Sequence, residues 1–224
     1  MISIVIPTLN AGPGLAATLH SLVGAAIDGL VSELIVSDGG SGDETLAIAD
    51  EAGAIIVTGE KGRGGQLRRG AKQARSDWLL FLHGDTVLEP GWADEARRFM
   101  DGGGQKAAVF RFGVDDRRWR ARLLEKIVLM RCRLFALPYG DQGLLISRAL
   151  YDEIGGFGDL VLMEDVDIIR RCGRARLHFF ASRAITSAER YRRDGYVRRM
   201  MKNGRCLAMW FAGVAPEKIA EKYR

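Results

Sequence analysis

The chain is poor in cysteine. It has only Cys132, Cys172 and Cys206 in 224 residues, an odd number at wide spacing. These build neither a disulfide framework nor a zinc signature, so reduced thiols and a cytoplasmic setting are expected. Long apolar runs are missing too, and no stretch approaches the roughly 18 apolar residues a membrane-spanning helix needs. The amino terminus, Met1-Ile2-Ser3-Ile4-Val5-Ile6-Pro7, has no basic leader and no small-residue cleavage site. Its apolar run is too short for a signal peptide and reads as a first strand. No repeat of a few tens of residues occurs, which excludes solenoids and propellers. No Gly-Lys-Ser/Thr closes a P-loop, and the glycine spacing fits no dinucleotide fingerprint.

What is present suits one large α/β domain spanning residues 1–224. Ile2–Ile6, Glu33–Ser37, Ala54–Thr58 and Trp78–Leu82 are short runs rich in Val, Ile and Leu. Helical patterns at about 13–26, 43–52 and 63–76 separate them. Strand alternating with helix predicts a mainly parallel sheet flanked by helices, and uninterrupted apolar strands predict that both faces are covered. Beyond Asp85 the rhythm loosens. Helices are expected at 91–101, 119–135 and Glu164–Arg171, and strands at Ala107–Phe112, Gly143–Ser147 and Leu177–Phe180. The expected organisation is a nucleotide-binding half (1–87), an acceptor and catalytic half (88–182) and a basic helical tail (183–224).

Three polar loops follow strands directly: Pro7-Thr8-Leu9-Asn10, Asp38-Gly39-Gly40-Ser41 and His83-Gly84-Asp85-Thr86. Ligands of parallel sheets bind outside the carboxyl ends of the strands, so these loops are expected to converge on one cleft. Asp38 can accept from a base imide or a ribose hydroxyl, and Gly39 lets backbone approach a ligand; capping of the next helix is the structural alternative. Gly62-Arg63-Gly64-Gly65-Gln66 leads into a helix with a basic residue at its start, an arrangement that favours phosphate. Asp85, at the end of an apolar strand, needs a cation or several donors. A divalent ion completed by substrate phosphates suits it, as does an N-cap role. Glu164-Asp165-Val166-Asp167 gathers three acids that can serve as a proton acceptor or as an acidic first helical turn. Asp141 and Gln142, in Tyr139-Gly140-Asp141-Gln142-Gly143, can hold acceptor hydroxyls or form a turn.

Taken in order, Ile4–Asn10, Val36–Ser41, Gly62-Arg63, His83–Thr86, Gly155-Gly156-Phe157 and Glu164-Asp165 resemble glycosyltransferase family 2, with the GT-A fold. The resemblance implies that Pro7, Thr8, Leu9, Asn10, Asp38 and Gly39 hold the donor nucleotide, with Gly62, Arg63, Gln66, His83 and Gly84 beside them. It implies Asp85 as the metal-binding acid, with Mn²⁺ or Mg²⁺ as cofactor. It implies Asp165 as the base that deprotonates an acceptor hydroxyl, with Glu164 as a second catalytic residue beside it, giving inversion with a donor such as a UDP-sugar. His83 stands where the family's Asp-x-Asp motif has its first acid, so the site lacks one negative charge and metal identity is open. Leu82–Thr86, Tyr139–Gly143 and Thr186–Gly195 further resemble a bacterial subgroup associated with radical-SAM enzymes and arsenosugar biosynthesis. Arg190, Arg192 and Arg193 lie where related enzymes place residues near the diphosphate.

The net charge of +5 is unevenly spread. Residues 111–135 carry +5 and residues 183–224 carry +7, leaving −7 on the rest. Trp119, Leu123, Ile127, Met130 and Leu134 recur at helical spacing among arginines, as do Val197, Met200, Met201, Leu207, Trp210 and Phe211. Basic amphipathic helices can lie on a membrane, fill a core or pair in a homodimer. Peripheral contact with the inner membrane face is therefore one expectation. The partners expected are a nucleotide-sugar donor and an unidentified acceptor, and no nucleic acid. Two other functions are compatible with the pattern: a sugar-phosphate nucleotidyltransferase, and a non-catalytic nucleotide-sugar-binding protein.

Overall fold

The computed structural model describes residues 1–223. Eight strands form one sheet: β1 (Ile2–Thr8), β2 (Val31–Asp38), β3 (Ile55–Thr58), β4 (Trp78–Phe81), β5 (Thr86–Leu88), β6 (Ala107–Val114), β7 (Leu144–Ser147) and β8 (Leu177–Thr186). Their spatial order is β3-β2-β1-β4-β7-β6-β8-β5. The pairs β1–β2, β1–β4, β2–β3 and β6–β8 are parallel; β4–β7, β6–β7 and β5–β8 are antiparallel. The sheet thus runs unbroken from the regular first half into the second through β4–β7. Its mainly parallel character agrees with the expectation.

Pairing explains where Pro7 is tolerated. β1 pairs with β4 only from Ile2 to Val5, so the missing amide of Pro7 falls beyond that ladder. The period of two along β1 divides the core. Ile2, Ile4 and Ile6 join Leu15, Trp92 and Phe110 on one face, whereas Val5 joins Leu67, Phe81 and Ile168 on the other. Both faces are covered, which is why the strands are apolar throughout.

The flanking helices are α1 (Gly12–His20), α2 (Val23–Ile27), α3 (Thr45–Glu51), α4 (Arg63–Gln73), α5 (Trp92–Asp101), α6 (Trp119–Phe135), α7 (Arg148–Glu153), α8 (Glu164–Cys172), α9 (Glu189–Asp194), α10 (Tyr196–Phe211) and α11 (Pro216–Tyr223). The single helix expected over 13–26 is two. Ser21 breaks it, because its hydroxyl accepts from Leu88 N at 3.3 Å and its carbonyl accepts from Trp92 Nε1 at 3.3 Å. β5 was not expected at all, being three residues long and immediately behind a ligand loop. β8 runs to Thr186 and not only to Phe180. A register shift opposite Val109–Arg111 breaks its alternation, and Glu95 accepts there from Ala181 N at 2.7 Å and Ser182 N at 3.0 Å. Both proposed internal boundaries, after residues 87 and 182, therefore cut strands. No helix among the described residues is long and apolar enough to cross a membrane.

Candidate active site

β1, β2 and β4 end at the same edge, and their loops are tied together before any ligand enters. Asn10, at a left-handed φ of 52°, donates its N–H to Ser41 Oγ at 2.8 Å and accepts from Gly42 N at 2.9 Å. Ala11 N donates to Thr45 Oγ1 at 2.8 Å, and Gly12 N to Asp43 Oδ2 at 3.1 Å. Gln66 braces the strand ends from α4, donating to Thr8 O at 2.6 Å and Ser37 O at 2.9 Å. The cleft beside this scaffold is lined by Pro7–Ala11, Lys61–Arg63, His83–Asp85 and Arg190.

Asp38 is fully buried and occupied within its own loop. It accepts from Thr8 Oγ1 at 2.9 Å, Ser41 Oγ at 2.5 Å, Gly40 N at 2.7 Å and Ser41 N at 2.8 Å. Burial pushes its carboxyl upward, but these bonds outweigh it and hold the group below its ordinary range. Asp38 and Gly39 stand behind the cleft and not on its lining. Its lone pairs already meet donors from Thr8, Gly40 and Ser41, so a base or ribose would have to compete with them.

At the floor, Arg63 pairs with Glu164, whose side chain is 1% exposed. Burial drives the Glu164 carboxyl upward against the pull of Arg63. Arg63 also approaches His83 Nε2, with Nη1 at 3.3 Å. A guanidinium only donates, so Nε2 carries the lone pair and the ring proton sits on Nδ1. Burial, then Arg63 and Arg190, depress the His83 imidazole to about 3, which keeps it neutral near pH 7. Asp85 faces the same space, backed by Gly14 of α1, where a Cβ would lie 3.1 Å from Asp85 Cα. No group of three or more His, Cys, Asp or Glu side chains that could hold a metal occurs among the described residues. The donor set therefore fits a hard divalent ion only where phosphate and water complete the shell, with Asp85 as anchor. His83 would be the weaker ligand of such an ion, because Arg63 already faces its lone pair.

A second chamber opens on the other side of Arg63, His83 and Asp85. Asp165 sits at its floor, at the start of α8. Its Oδ2 accepts from Gly140 N at 2.7 Å and its Oδ1 from Val166 N at 2.8 Å, which fixes the plane of the carboxylate. Gly140 separates this acid from the imidazole: a Cβ there would lie 3.0 Å from His83 Nε2 and 3.4 Å from Asp165 Oδ2. Asp141 leaves Oδ1 buried without a partner. Burial, opposed by Arg131 and Arg63 and assisted by Asp165 and Asp85, raises its carboxyl to about 6. Arg131 lies 3.5 Å over the Tyr139 ring and stiffens the same turn. The far wall is Tyr191, Arg199, Asn203, Cys206 and Tyr223. Arg199 is tied to Asp194 at 2.8 Å and to Tyr223 Oη at 3.3 Å.

Pro7, Thr8, Leu9, Asn10, Gly62, Arg63, Gln66, His83, Gly84, Asp85 and Arg190 are thus brought to one cleft, and Asp141 and Asp165 to the adjoining chamber. Several of the expected site residues make bonds within the protein. Gln66 reaches the lining but its polar atoms brace the strands. Gln142 is 2% exposed and points inward, donating to Phe110 O at 2.9 Å and accepting from Tyr139 N at 3.3 Å. Glu164 supports Arg63 from below. Arg192, two residues along the helix and turned away from Arg190, donates to Asp115 O, and Arg193 pairs with Asp194 at 2.9 Å. Arg199, Asn203 and Tyr223 were not anticipated. Helical spacing on α10 was the available signal: Arg199, Asn203 and Cys206 share the face opposite Val197 and Met201.

The family described as Glycosyl transferase family 2 matches residues 3–157. A glucosyl-3-phosphoglycerate synthase of Mycolicibacterium paratuberculosis is 35% identical over 95 residues, 38% of this chain and 29% of that protein. A PGL/p-HBAD biosynthesis glycosyltransferase of Mycobacterium bovis is 39% identical over 95 residues, 39% of this chain and 36% of that protein. The matched stretch thus spans only about a third of either relative. Among solved structures, S. aureus TarS 1–349 in complex with UDP superposes with a TM-score of 0.66 at 19% identity, covering 85% of this chain and 62% of that one. Glucosyl-3-phosphoglycerate synthase from Mycobacterium tuberculosis, in complex with Mn²⁺, UDP and glucosyl-3-phosphoglycerate, gives 0.58 at 22% identity, with coverages of 84% and 70%. These likenesses establish the GT-A type of fold seen in the sheet. The extent of the family match, together with the strand-end cleft, settles the classification: the chain belongs to glycosyl transferase family 2.

Proposed function

We propose that the protein is an inverting glycosyltransferase that moves a sugar from a nucleoside-diphosphate donor, UDP first among them, to an acceptor hydroxyl. The observation that carries this reading is the meeting of two spaces on shared residues. A loop-lined cleft and an inner chamber both contain Arg63, His83, Asp85, Ser187 and Arg190. A donor lying in the cleft would present its diphosphate to Arg63 and Arg190, with its sugar at the chamber mouth. Arg190 projects from α9 and makes no ion pair among the described residues, so it is free to meet an incoming charge.

Asp165 is suited to be the general base. Each oxygen accepts one backbone hydrogen bond and retains a second lone pair, and the carboxylate lines the chamber where the acceptor would sit. The acceptor oxygen gives its proton to Asp165 and attacks the anomeric carbon from the side opposite the diphosphate. The new C–O bond forms as the old one breaks, and the nucleoside diphosphate leaves with the electron pair. Arg63, held by Glu164, and Arg190 stabilise that charge. A divalent ion at Asp85, with His83 beside it, would supply further neutralisation of the diphosphate. The UDP and Mn²⁺ in the related mycobacterial structure support the choice of nucleotide and metal. Tyr139, Asp141, Tyr191 and the α10–α11 wall are the candidate acceptor contacts.

Thermal-shift titration with UDP and UDP-sugars, with and without Mn²⁺ or Mg²⁺, tests the donor site. A metal-dependent rise in Tm is expected for the native protein and not for Asp85→Ala. An equal rise in the variant would refute the role of Asp85. Release of pyrophosphate from a nucleoside triphosphate and a sugar phosphate would instead mark a nucleotidyltransferase. Donor binding with neither hydrolysis nor transfer would mark a binding protein.

A further inference from the structure

Two helices, α6 and α10, carry an outward apolar face that nothing in the described chain covers; on α10 this face lies opposite the one that walls the chamber. On α6, Trp119, Leu123, Met130 and Leu134 are between 47% and 69% exposed. At about 100° per residue they fall within one sector of roughly 60°. The core side of the helix is complete without them, because Ala121, Leu124, Val128 and Cys132 are buried opposite. On α10, Val197 and Met201 are 68% and 71% exposed and Phe211 is 50% exposed, again on one side, while Tyr196 and Cys206 are buried. The helices are neighbours, since Val128 and Cys132 of α6 share a cluster with Tyr196 and Met200 of α10.

Charge distinguishes this face from an ordinary protein contact. α6 holds five basic residues and a single acid, Glu125, whose side chain is 10% exposed and paired with Arg122. α10 holds four basic residues and no acid. Arg120, Lys126 and Arg133 flank the α6 stripe, and Arg198 and Arg205 flank that of α10. A second copy would bring an equally cationic face against this one. An anionic lipid surface offers apolar depth for the stripe and opposite charge for its margins. A helix of 17 residues bearing six charges lies along a bilayer and does not cross it.

We propose that α6 and α10 together form a docking surface for an anionic lipid bilayer, independent of the proposed transferase reading. The test is co-sedimentation with vesicles of equal parts phosphatidylglycerol and phosphatidylcholine, against vesicles of phosphatidylcholine alone. The full chain is expected to bind the anionic vesicles, more weakly as salt rises. Leu123→Glu with Met130→Glu should weaken binding at least about tenfold, since each replaces an inserted apolar side chain with a repelled charge. Both positions are exposed, so circular dichroism and thermal stability should stay those of the native protein. Trp119→Phe should retain binding while losing the blue shift in tryptophan emission. Absence of binding to anionic vesicles, or equal binding by the double variant, would overturn the proposal. So would a native dimer in sedimentation velocity that the double variant converts to monomer, which assigns the face to a second copy.

Discussion

The two spaces that meet at Arg63 are built on opposite terms. On the proposed donor side most polar groups satisfy one another: Asp38 accepts four hydrogen bonds within its own neighbourhood, Asn10 bridges two loops, and Gln66 ties two strand ends. On the proposed acceptor side polar atoms are left over. Asp141 Oδ1 and Glu164 Oε2 are buried without partners, and Tyr191, Arg199, Asn203 and Tyr223 arrive on late helices. The first arrangement preorganises backbone for a ligand of fixed shape. The second keeps a few unmatched groups in place, and unmatched buried groups cost stability until a ligand meets them.

That contrast can be broken experimentally. The largest stability loss is expected where the two sides join. Arg63→Ala leaves Glu164 buried and unpaired, which should cost about 3–5 kcal/mol in chemical denaturation. Asp38→Ala should cost about 3 kcal/mol, because Thr8, Gly40 and Ser41 lose their shared acceptor. The Asp38 contribution depends on pH in a definite direction. Its folded value is held below the ordinary 3.8, so its stabilisation is present at neutral pH and fades as acid is added through that range.

Asp141 should behave in the opposite sense. Its folded carboxyl lies near 6, above the ordinary 3.8, so the native state binds a proton more tightly than the unfolded chain between those values. Stability therefore falls as pH rises from about 4 to about 6 and stays lower beyond. Asp141→Asn should leave stability at pH 4 nearly unchanged and raise it at pH 7.5 by at most about 3 kcal/mol. A gain that is equal at both pH values would contradict the assignment. The smallest effect expected is that of Gly140→Ala. A methyl group pressing on His83 and Asp165 should lower turnover about tenfold, or about 1.4 kcal/mol of barrier, with donor binding little altered.

The sequence was legible in proportion to the regularity of the region. β1 to β4 could be read because strands covered on both faces are continuously apolar, and the loops behind them had to lie together at one edge. Asp85, His83 and Arg63 followed from that geometry. What could not be read was occupancy. Asp38 and Gln66 are polar residues in ligand loops, and nothing in spacing reveals that Asp38 is met by Thr8, Gly40 and Ser41, or Gln66 by the carbonyls of Thr8 and Ser37. Gln142 looked like a binding residue for the same reason. Beyond β5 the period of β8 is disguised by its bulge, and the chamber wall comes from α10 and α11, whose distance in sequence from Asp165 conceals their nearness in space. Ser21 split one expected helix through contacts made with Leu88 and Trp92, which only the folded chain supplies.

Turnover and donor affinity measured together on Asp165→Asn test the central claim most directly. The amide keeps the shape of the carboxylate but cannot take the acceptor proton. Sugar transfer should fall about 10³-fold, while the dissociation constant for UDP with Mn²⁺ stays within about twofold. Undiminished transfer, or loss of donor binding in step with activity, would contradict Asp165 as the base and with it the division of the site into a donor cleft and an acceptor chamber.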